Sequence, residues 1–109
     1  MNYNFHQSLD DKCHRFLNAV EPGTEVSIHT HPTTDESFVL LRGKVRVTTH
    51  NDDGSIIDEV VLSQESESYG VDIPKSVWHK LESLESGSVV FECKDGGYRA
   101  LEGDEVMDV

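Results

Sequence analysis

Apolar and polar positions alternate along most of this chain in short runs, and glycine, proline or aspartate separates each run from the next. An alternation of period two is typical of a β-strand that buries one face and exposes the other. No helical period of useful length follows residue 20. Many short strands between turn residues predict an all-β barrel or double-sheet jelly roll. After an alternating run from 24 to 29, the predicted strands lie at 37–41, 44–49, 56–62, 69–73, 78–83 and 88–94.

The first twenty residues have a different pattern, which predicts a short helix. Ser8 is a suitable N-cap, and Phe16, Leu17 and Val20 would form an apolar stripe along one helix face. The Pro22-Gly23 pair then ends the predicted helix, and the sheet begins after it. We expect the acidic, turn-rich C-terminal part to be a solvated or partly ordered tail. The predicted divisions are a helical lead-in at 1–20, a barrel at 21–95 and an acidic tail at 96–109.

One predicted strand is apolar on both faces, over the run from Phe38 to Leu41. A strand with one face in water does not need this pattern, so the outer face requires a cover. Either the N-terminal helix or a second subunit could supply it. We expect a two-fold homodimer through this strand.

The composition narrows the class of protein. A chain of 109 residues suits one domain. The formal net charge of −12 at pH 7 would repel phosphate backbones and anionic lipid, so we expect neither nucleic acid nor membrane as a partner. The sequence has no apolar run of membrane-spanning length and no signal-peptide pattern at its start, so we expect a cytoplasmic protein. We expect Cys13 and Cys93 to be reduced thiols.

Two histidines and a glutamate carry the strongest chemical signal. His29 and His31 are separated by one residue, so a strand directs both imidazoles to the same face. Two such imidazoles can chelate a divalent ion, and Glu36 can add an oxygen ligand. Farther along, a short apolar run ends at Pro74 and a predicted strand begins near His79. This histidine is a fourth ligand candidate. Metal binding is therefore the leading hypothesis.

These residues resemble a known family. The stretch from Gly23 to Gly43 resembles the first cupin motif, in which two glycines flank His-x-His and a glutamate. The stretch from Pro74 to His79 resembles the second cupin motif, with Ser76 where that motif has glycine. The resemblance implies a cupin double-stranded β-helix, a jelly-roll barrel whose ligands face inward. Four shorter stretches are similar to small cupins of the WbuC type, which are associated with bacterial surface-polysaccharide gene clusters: 20–23, 42–44, 52–54 and 87–96.

The expected cofactor is one divalent transition metal ion. Three imidazoles and one carboxylate suit Fe, Mn, Ni, Co or Zn, and affinity order does not distinguish among them. Because the motif contains no cysteine, an open site is favoured over a closed structural zinc site. Four protein ligands would leave coordination positions for water, dioxygen or a small-molecule ligand. The expected metal ligands are His29, His31, Glu36 and His79.

Three functions are compatible with such a site. The first is a metal-dependent enzyme, isomerase- or epimerase-like, that acts on a small polar substrate; the WbuC-like resemblance implies a sugar or nucleotide sugar. The second is an Fe(II) dioxygenase, and the third is a non-catalytic module that binds a small molecule. Candidate catalytic groups are Tyr69, Glu92 and Tyr98. Candidate substrate contacts, which would give a locally positive field, are Arg42, Lys44 and Arg46.

Overall fold

The computed structural model describes residues 2–96 and 102–107. Within these ranges the chain forms eight β-strands and a single turn of 3-10 helix near the C-terminus. The six strands predicted from residue 37 onward are confirmed, and the run from 24 to 29 contributes only a bridge at His29. The strands are β1 (Asn2–Asn4), β2 (His14–Val20), β3 (Glu36–Arg42), β4 (Lys44–His50), β5 (Ile56–Ser63), β6 (Gly70–Ile73), β7 (Trp78–Ser83) and β8 (Ser88–Lys94).

The strands form two sheets, and the predicted double-sheet jelly roll is confirmed. The larger sheet has the order β1-β2-β8-β3-β6 and the smaller one the order β5-β4-β7. All of these neighbours pair antiparallel. The alternation of apolar residues directs one face of each sheet toward the other, which buries a common core. That core consists of Phe38, Leu40, Val45, Val47, Leu62, Ile73 and Val90.

The predicted N-terminal helix is wrong. Residues His14–Val20 form strand β2, which pairs with β8 over its whole length, from His14 opposite Lys94 to Val20 opposite Ser88. An apolar set at Phe16, Leu17 and Val20 fits a helical stripe and a strand almost equally well. The seven-residue ladder with a distant strand decides between them, because tertiary pairing overrides local helix propensity.

The C-terminal segment 102–107, which is part of the predicted tail, is docked on the barrel. The Thr30 amide donates to the Glu105 carbonyl at 2.9 Å, and the Met107 amide donates to the Ile28 carbonyl at 2.7 Å. Glu105 is buried. The segment therefore lies beside the extended chain that carries the first two histidines.

The hairpin between β3 and β4 depends on Gly43. Its φ is +87°, in the region where a Cβ is disfavoured. A Cβ at this position would also lie 2.7 Å from the Ser88 Cα, which is closer than packed carbon atoms approach. The Lys44 amide then donates to the Ser88 hydroxyl at 3.0 Å. A close approach between this turn and the start of β8 thus requires glycine.

The outer face of the larger sheet is apolar and largely open. Val39 and Leu41 alternate with the buried side of β3 and are 42% and 58% exposed. Phe5 packs against Phe91 with ring centroids 6.0 Å apart, and this contact covers part of the face. The homodimer stays a prediction. In the described ranges, no helix has the length and apolar character to cross a membrane.

Candidate metal centre

The structure brings the four predicted ligands together at one end of the barrel. One ligand atom from each of His29, His31, Glu36 and His79 lies within 4.8 Å of the others, so the cluster could hold a metal ion. The first two histidines are on the extended segment before β3, Glu36 begins β3, and His79 is on β7. Glu36 and His79 are buried, whereas the other two are partly exposed. The cluster is therefore anchored in the core and accessible from one side.

Backbone pairing holds the two motifs in register. The His29 amide donates to the His79 carbonyl at 3.0 Å, and the His79 amide donates back at 2.9 Å. The Ser76 amide donates to the His31 carbonyl at 2.9 Å. Because these bonds join residues far apart in sequence, the ligand positions are fixed by the backbone as well as by side-chain packing.

Asp35 links the ends of three segments around the cluster. Its carboxylate accepts from the Lys75 amide at 2.8 Å, and its own amide donates to the Asp95 carboxylate at 2.7 Å. The turn after Pro74 is therefore tied to the start of β3 and to the end of β8. Ser76 in that turn has a φ of +69°, the conformation that glycine adopts most easily. The turn geometry is kept although the sequence has serine at the motif's glycine position.

Each of two histidines has one ring nitrogen occupied by the backbone. The Nδ1 of His29 lies 3.0 Å from the Ser27 carbonyl, and the Nδ1 of His79 lies 2.9 Å from the Val77 carbonyl. A donated Nδ1–H fixes the tautomer and leaves the Nε2 lone pair for a metal, as is usual for metal-binding histidines. The donor set and its orientation fit a divalent transition metal ion.

The Glu36 carboxylate lies at the centre of the side-chain contacts in the cluster. One carboxylate oxygen lies 3.0 Å from the His79 Nε2 and 3.6 Å from the His31 Nε2, and the other lies 3.8 Å from the Lys94 Nζ. Burial opposes ionisation of the carboxyl, but the His79 hydrogen bond and the nearby His31 hold the pKa of Glu36 below its ordinary value. The carboxyl is therefore in the charged form that binds cations.

The ring of His79 faces an acceptor on both sides, since Nδ1 faces a carbonyl and Nε2 faces Glu36. It can donate to both only when it carries two protons. A metal ion would bind this Nε2 in its unprotonated form, while Nδ1 still donates to the Val77 carbonyl.

The other two imidazoles favour the neutral form. Burial lowers the pKa of His31 to about 4. Burial, and then the neighbouring His79, lower the pKa of His29 as well. Neutral imidazole is the form that binds metal ions, so both residues are ready to bind at neutral pH.

The cluster opens into a cavity of about 290 Å³. Besides the four ligands, its polar lining comes from Asn18, Glu92 and Lys94. Burial raises the pKa of Glu92 to about 7, although the Asn18 side-chain amide donates to its carboxyl at 3.1 Å. The remaining lining residues are apolar: Val20, Val26, Phe38 and Leu81.

Sequence reasoning selects Glu92 but misses Asn18 and Lys94. The alternation along β8 places Lys94 on the same face as Glu92, so a signal exists for this residue. The sequence pattern puts Asn18 in the predicted helix. Only the pairing of β2 with β8 places its side chain on the face of the sheet that lines the cavity.

The other predicted site residues lie apart from this cavity. Tyr69 and Arg42 line a separate cleft of about 760 Å³ near the β3–β4 turn. Arg46 lies within 3.3 Å of Glu82 through its guanidinium group. Lys44 begins β4 beside Gly43. Their roles in catalysis and substrate binding stay predictions, and Tyr98 lies outside the described residues.

Comparison with solved structures identifies the same fold in two bacterial proteins. The crystal structure of CapF with the inhibitor 3-isopropenyl-tropolone gives a TM-score of 0.73 at 23% identity over 90% of this chain and 28% of that chain. The capsular polysaccharide assembling protein CapF from Staphylococcus aureus gives 0.71 at 23% identity, over 90% of this chain and 26% of that chain. KdgF from Halomonas sp. gives 0.68 at 17% identity, over 90% of this chain and 80% of that chain.

These likenesses, together with the two-sheet topology, establish a cupin-type jelly roll. At such identities they establish the fold alone, and the chain spans about 28% of the CapF chain that it matches. No curated protein matches the chain by sequence. A family described as "Domain of unknown function (DUF6016)" matches residues 1–62, a range that contains three of the four clustered ligand candidates.

Proposed function

The chain belongs to the family described as a domain of unknown function, DUF6016, and because that description assigns no activity, we propose a function from the site itself. The protein binds one divalent transition metal ion through His29, His31, Glu36 and His79. It uses this centre to act on a small, oxygen-rich substrate, with a sugar as the preferred class and an isomerase- or epimerase-like proton transfer as the preferred reaction. The observation that carries the proposal is the convergence of four ligand atoms within 4.8 Å in the lining of one cavity.

The size of the cavity favours a single sugar ring. A volume of about 290 Å³ is at the lower end of the range found for small-molecule sites. A nucleotide sugar would have to place its nucleotide outside the cavity. The monosaccharide is therefore preferred over the nucleotide sugar as the group that reaches the metal.

The structural relatives support a carbohydrate substrate and an oxygen ligand. CapF from Staphylococcus aureus is described as a capsular polysaccharide assembling protein, which agrees with the WbuC-like resemblance of this chain. Another CapF structure contains a tropolone inhibitor. Tropolones carry adjacent carbonyl and hydroxyl oxygens and chelate divalent metals through both. A sugar in its open form offers a similar pair of adjacent oxygens.

A bound divalent ion would polarise a carbonyl or enediolate oxygen of the substrate. The protein itself supplies a proton-transfer group beside it. Glu92 lies in the same cavity, and its raised pKa of about 7 allows it to accept and return a proton near neutral pH. The Asn18 amide donates to this carboxyl and fixes its orientation. Lys94 adds a positive charge that can hold an anionic oxygen of the substrate.

The metal part of the proposal is tested on protein purified without a metal-binding tag. We expect one divalent ion per chain after dialysis against Mn²⁺ or Zn²⁺, measured by elemental analysis. His31→Ala and Glu36→Gln should reduce this to near zero while the far-ultraviolet circular dichroism stays unchanged. Glu65→Gln removes an exposed carboxylate and serves as the matched control. Full metal content in His31→Ala would overturn the four-ligand site.

The reaction is tested by solvent exchange. The metal-loaded protein is incubated in D₂O with a panel of aldoses, ketoses and sugar acids. The substrate should then incorporate deuterium at the carbon next to its carbonyl group. Glu92→Gln should retain the metal and lose the exchange. Substrate-dependent oxygen uptake by the Fe(II)-loaded protein, without exchange, would instead identify the dioxygenase. Ligand-dependent thermal stabilisation with neither signal would identify the binding module.

A further inference from the structure

Two cysteines that are distant in sequence lie side by side on the outside of the barrel. The Cys13 and Cys93 sulfur atoms are 3.5 Å apart, although 80 positions separate the two residues. Both are free thiols in the structure. Cys93 is on β8 between Glu92 and Lys94, and because these two line the cavity, the cysteine side chain lies on the opposite face of the sheet.

The sheet itself brings the two sulfurs together. Cys13 immediately precedes β2, whose register with β8 places Arg15 opposite Cys93. This ladder continues for seven residue pairs, so the approach of the thiols rests on paired backbone. A disulfide bond is about 2.0 Å long, so bond formation requires the sulfurs to approach by only about 1.5 Å.

The accessibility of the two thiols differs. Cys13 is exposed, whereas Cys93 is half-buried. Burial and the adjacent Cys13 raise the pKa of the Cys93 thiol, and the positive charge of Arg15 opposes that rise. A reagent from solution therefore reaches Cys13 first, and Cys93 is placed to react with whatever forms there.

We propose that Cys13 and Cys93 form a reversible intramolecular disulfide by exchange with a small-molecule disulfide such as oxidised glutathione. The Cys13 thiolate attacks the oxidised glutathione, which forms a mixed disulfide and releases one glutathione thiolate. The Cys93 thiolate then attacks the Cys13 sulfur and releases the second glutathione. The two protein thiols lose two electrons and two protons in total, and the oxidant gains them as two glutathione thiols.

The bond would fasten the N-terminal segment to the strand that forms one wall of the cavity. Residues before β2 already contact this region, since Phe5 packs on Phe91 and the ring of His6 stacks on that of His14 at 4.0 Å. The cross-link would help to hold these contacts in place while the two cysteines are oxidised. It would also fix the end of β8, where Lys94 approaches Glu36. The oxidised form should therefore unfold at a higher temperature than the reduced form.

The test is an equilibration of the full chain in glutathione buffers of graded redox potential, followed by acid quenching and alkylation of free thiols. We expect the thiol count to fall from two to zero per chain in one transition. The intact mass should decrease by two hydrogen atoms, and a digest should contain a linked peptide pair spanning residues 13 and 93. Dithiothreitol should restore both thiols and the lower melting temperature.

Variants separate this bond from other oxidation products. Cys13→Ser and Cys93→Ser should each show the same melting temperature in oxidising and reducing buffer, while the wild type shows a difference. A disulfide-linked dimer, a stable glutathione adduct, or two free thiols in fully oxidising buffer would overturn the proposal. These readouts are independent of metal and substrate, so the proposed function and this inference can fail separately.

Discussion

Replacing the buried cavity carboxyl with its neutral isostere should stabilise the metal-free protein at alkaline pH. In Glu92→Gln the side chain keeps its shape and still accepts the hydrogen bond that the Asn18 amide donates at 3.1 Å. What it loses is the charge. Because Glu92 is 8% exposed, its ionised form is poorly solvated in the native state and well solvated in the unfolded state.

The size of the effect follows from linkage. The pKa of Glu92 rises from an ordinary value of 4.5 to about 7, and each pKa unit corresponds to about 1.4 kcal/mol. Ionisation of the native carboxyl at pH 8 therefore costs about 3 kcal/mol relative to the unfolded chain. Well below pH 4.5 the carboxyl is neutral in both states and the cost disappears. The advantage of the variant should appear as the pH rises from 4.5 to 7 and then level off.

Urea unfolding of both proteins between about pH 4.5 and 9, with chelator present to keep metal ions away, measures this difference. Glu65→Gln is the control, because it removes an exposed carboxylate and should change the free energy of unfolding by less than about 0.5 kcal/mol at every pH. An advantage of Glu92→Gln that is constant with pH, or absent at pH 8, would show that the burial argument is incorrect. The native carboxyl would then be too well solvated to serve as the proposed proton carrier.

Three further predictions concern the turns and a ligand histidine. Ser76→Gly should raise the free energy of unfolding by about 1 kcal/mol, because a φ of +69° is strained for serine; Lys75→Gly, at a neighbour with an ordinary φ, should lower it. Gly43→Ala should destabilise by at least about 2 kcal/mol in urea unfolding, because the new Cβ would overlap Ser88. With chelator present, the free energy of unfolding of the wild type should fall relative to that of His31→Gln as the pH falls from 6.5 toward 4. The reason is that His31 becomes protonated in the unfolded state over this range, whereas in the native state its pKa is about 4. A difference that does not vary over this range would contradict the last prediction.

The local part of the site was predictable from the sequence because it depends on short spacings. Period-two geometry alone puts His29 and His31 on one face. The same stretch offered Glu36 as an oxygen ligand and His79 farther along as a fourth candidate, and the structure brings all four within 4.8 Å. Serine stands at position 76 where the second cupin motif has glycine, and its φ of +69° shows how the turn is kept without glycine.

The rest depends on pairing between distant residues, which the sequence pattern does not encode. A helix would accommodate the spacing of Phe16, Leu17 and Val20. Only the pairing of β2 with β8 shows that this segment is a strand. The same pairing puts Asn18 beside Glu92 in the cavity. The pair of cysteines is a third case, because only the ladder shows that they are neighbours.

The most direct test of the central claim is a crystal structure of the protein grown with Mn²⁺ and measured at a wavelength where manganese scatters anomalously. The account predicts one anomalous peak per chain, about 2.0–2.3 Å from one atom of each of His29, His31, Glu36 and His79. The Nδ1 atoms of His29 and His79 should keep their bonds to backbone carbonyls. A peak that lies elsewhere, or a cavity without a peak at neutral pH, would contradict it.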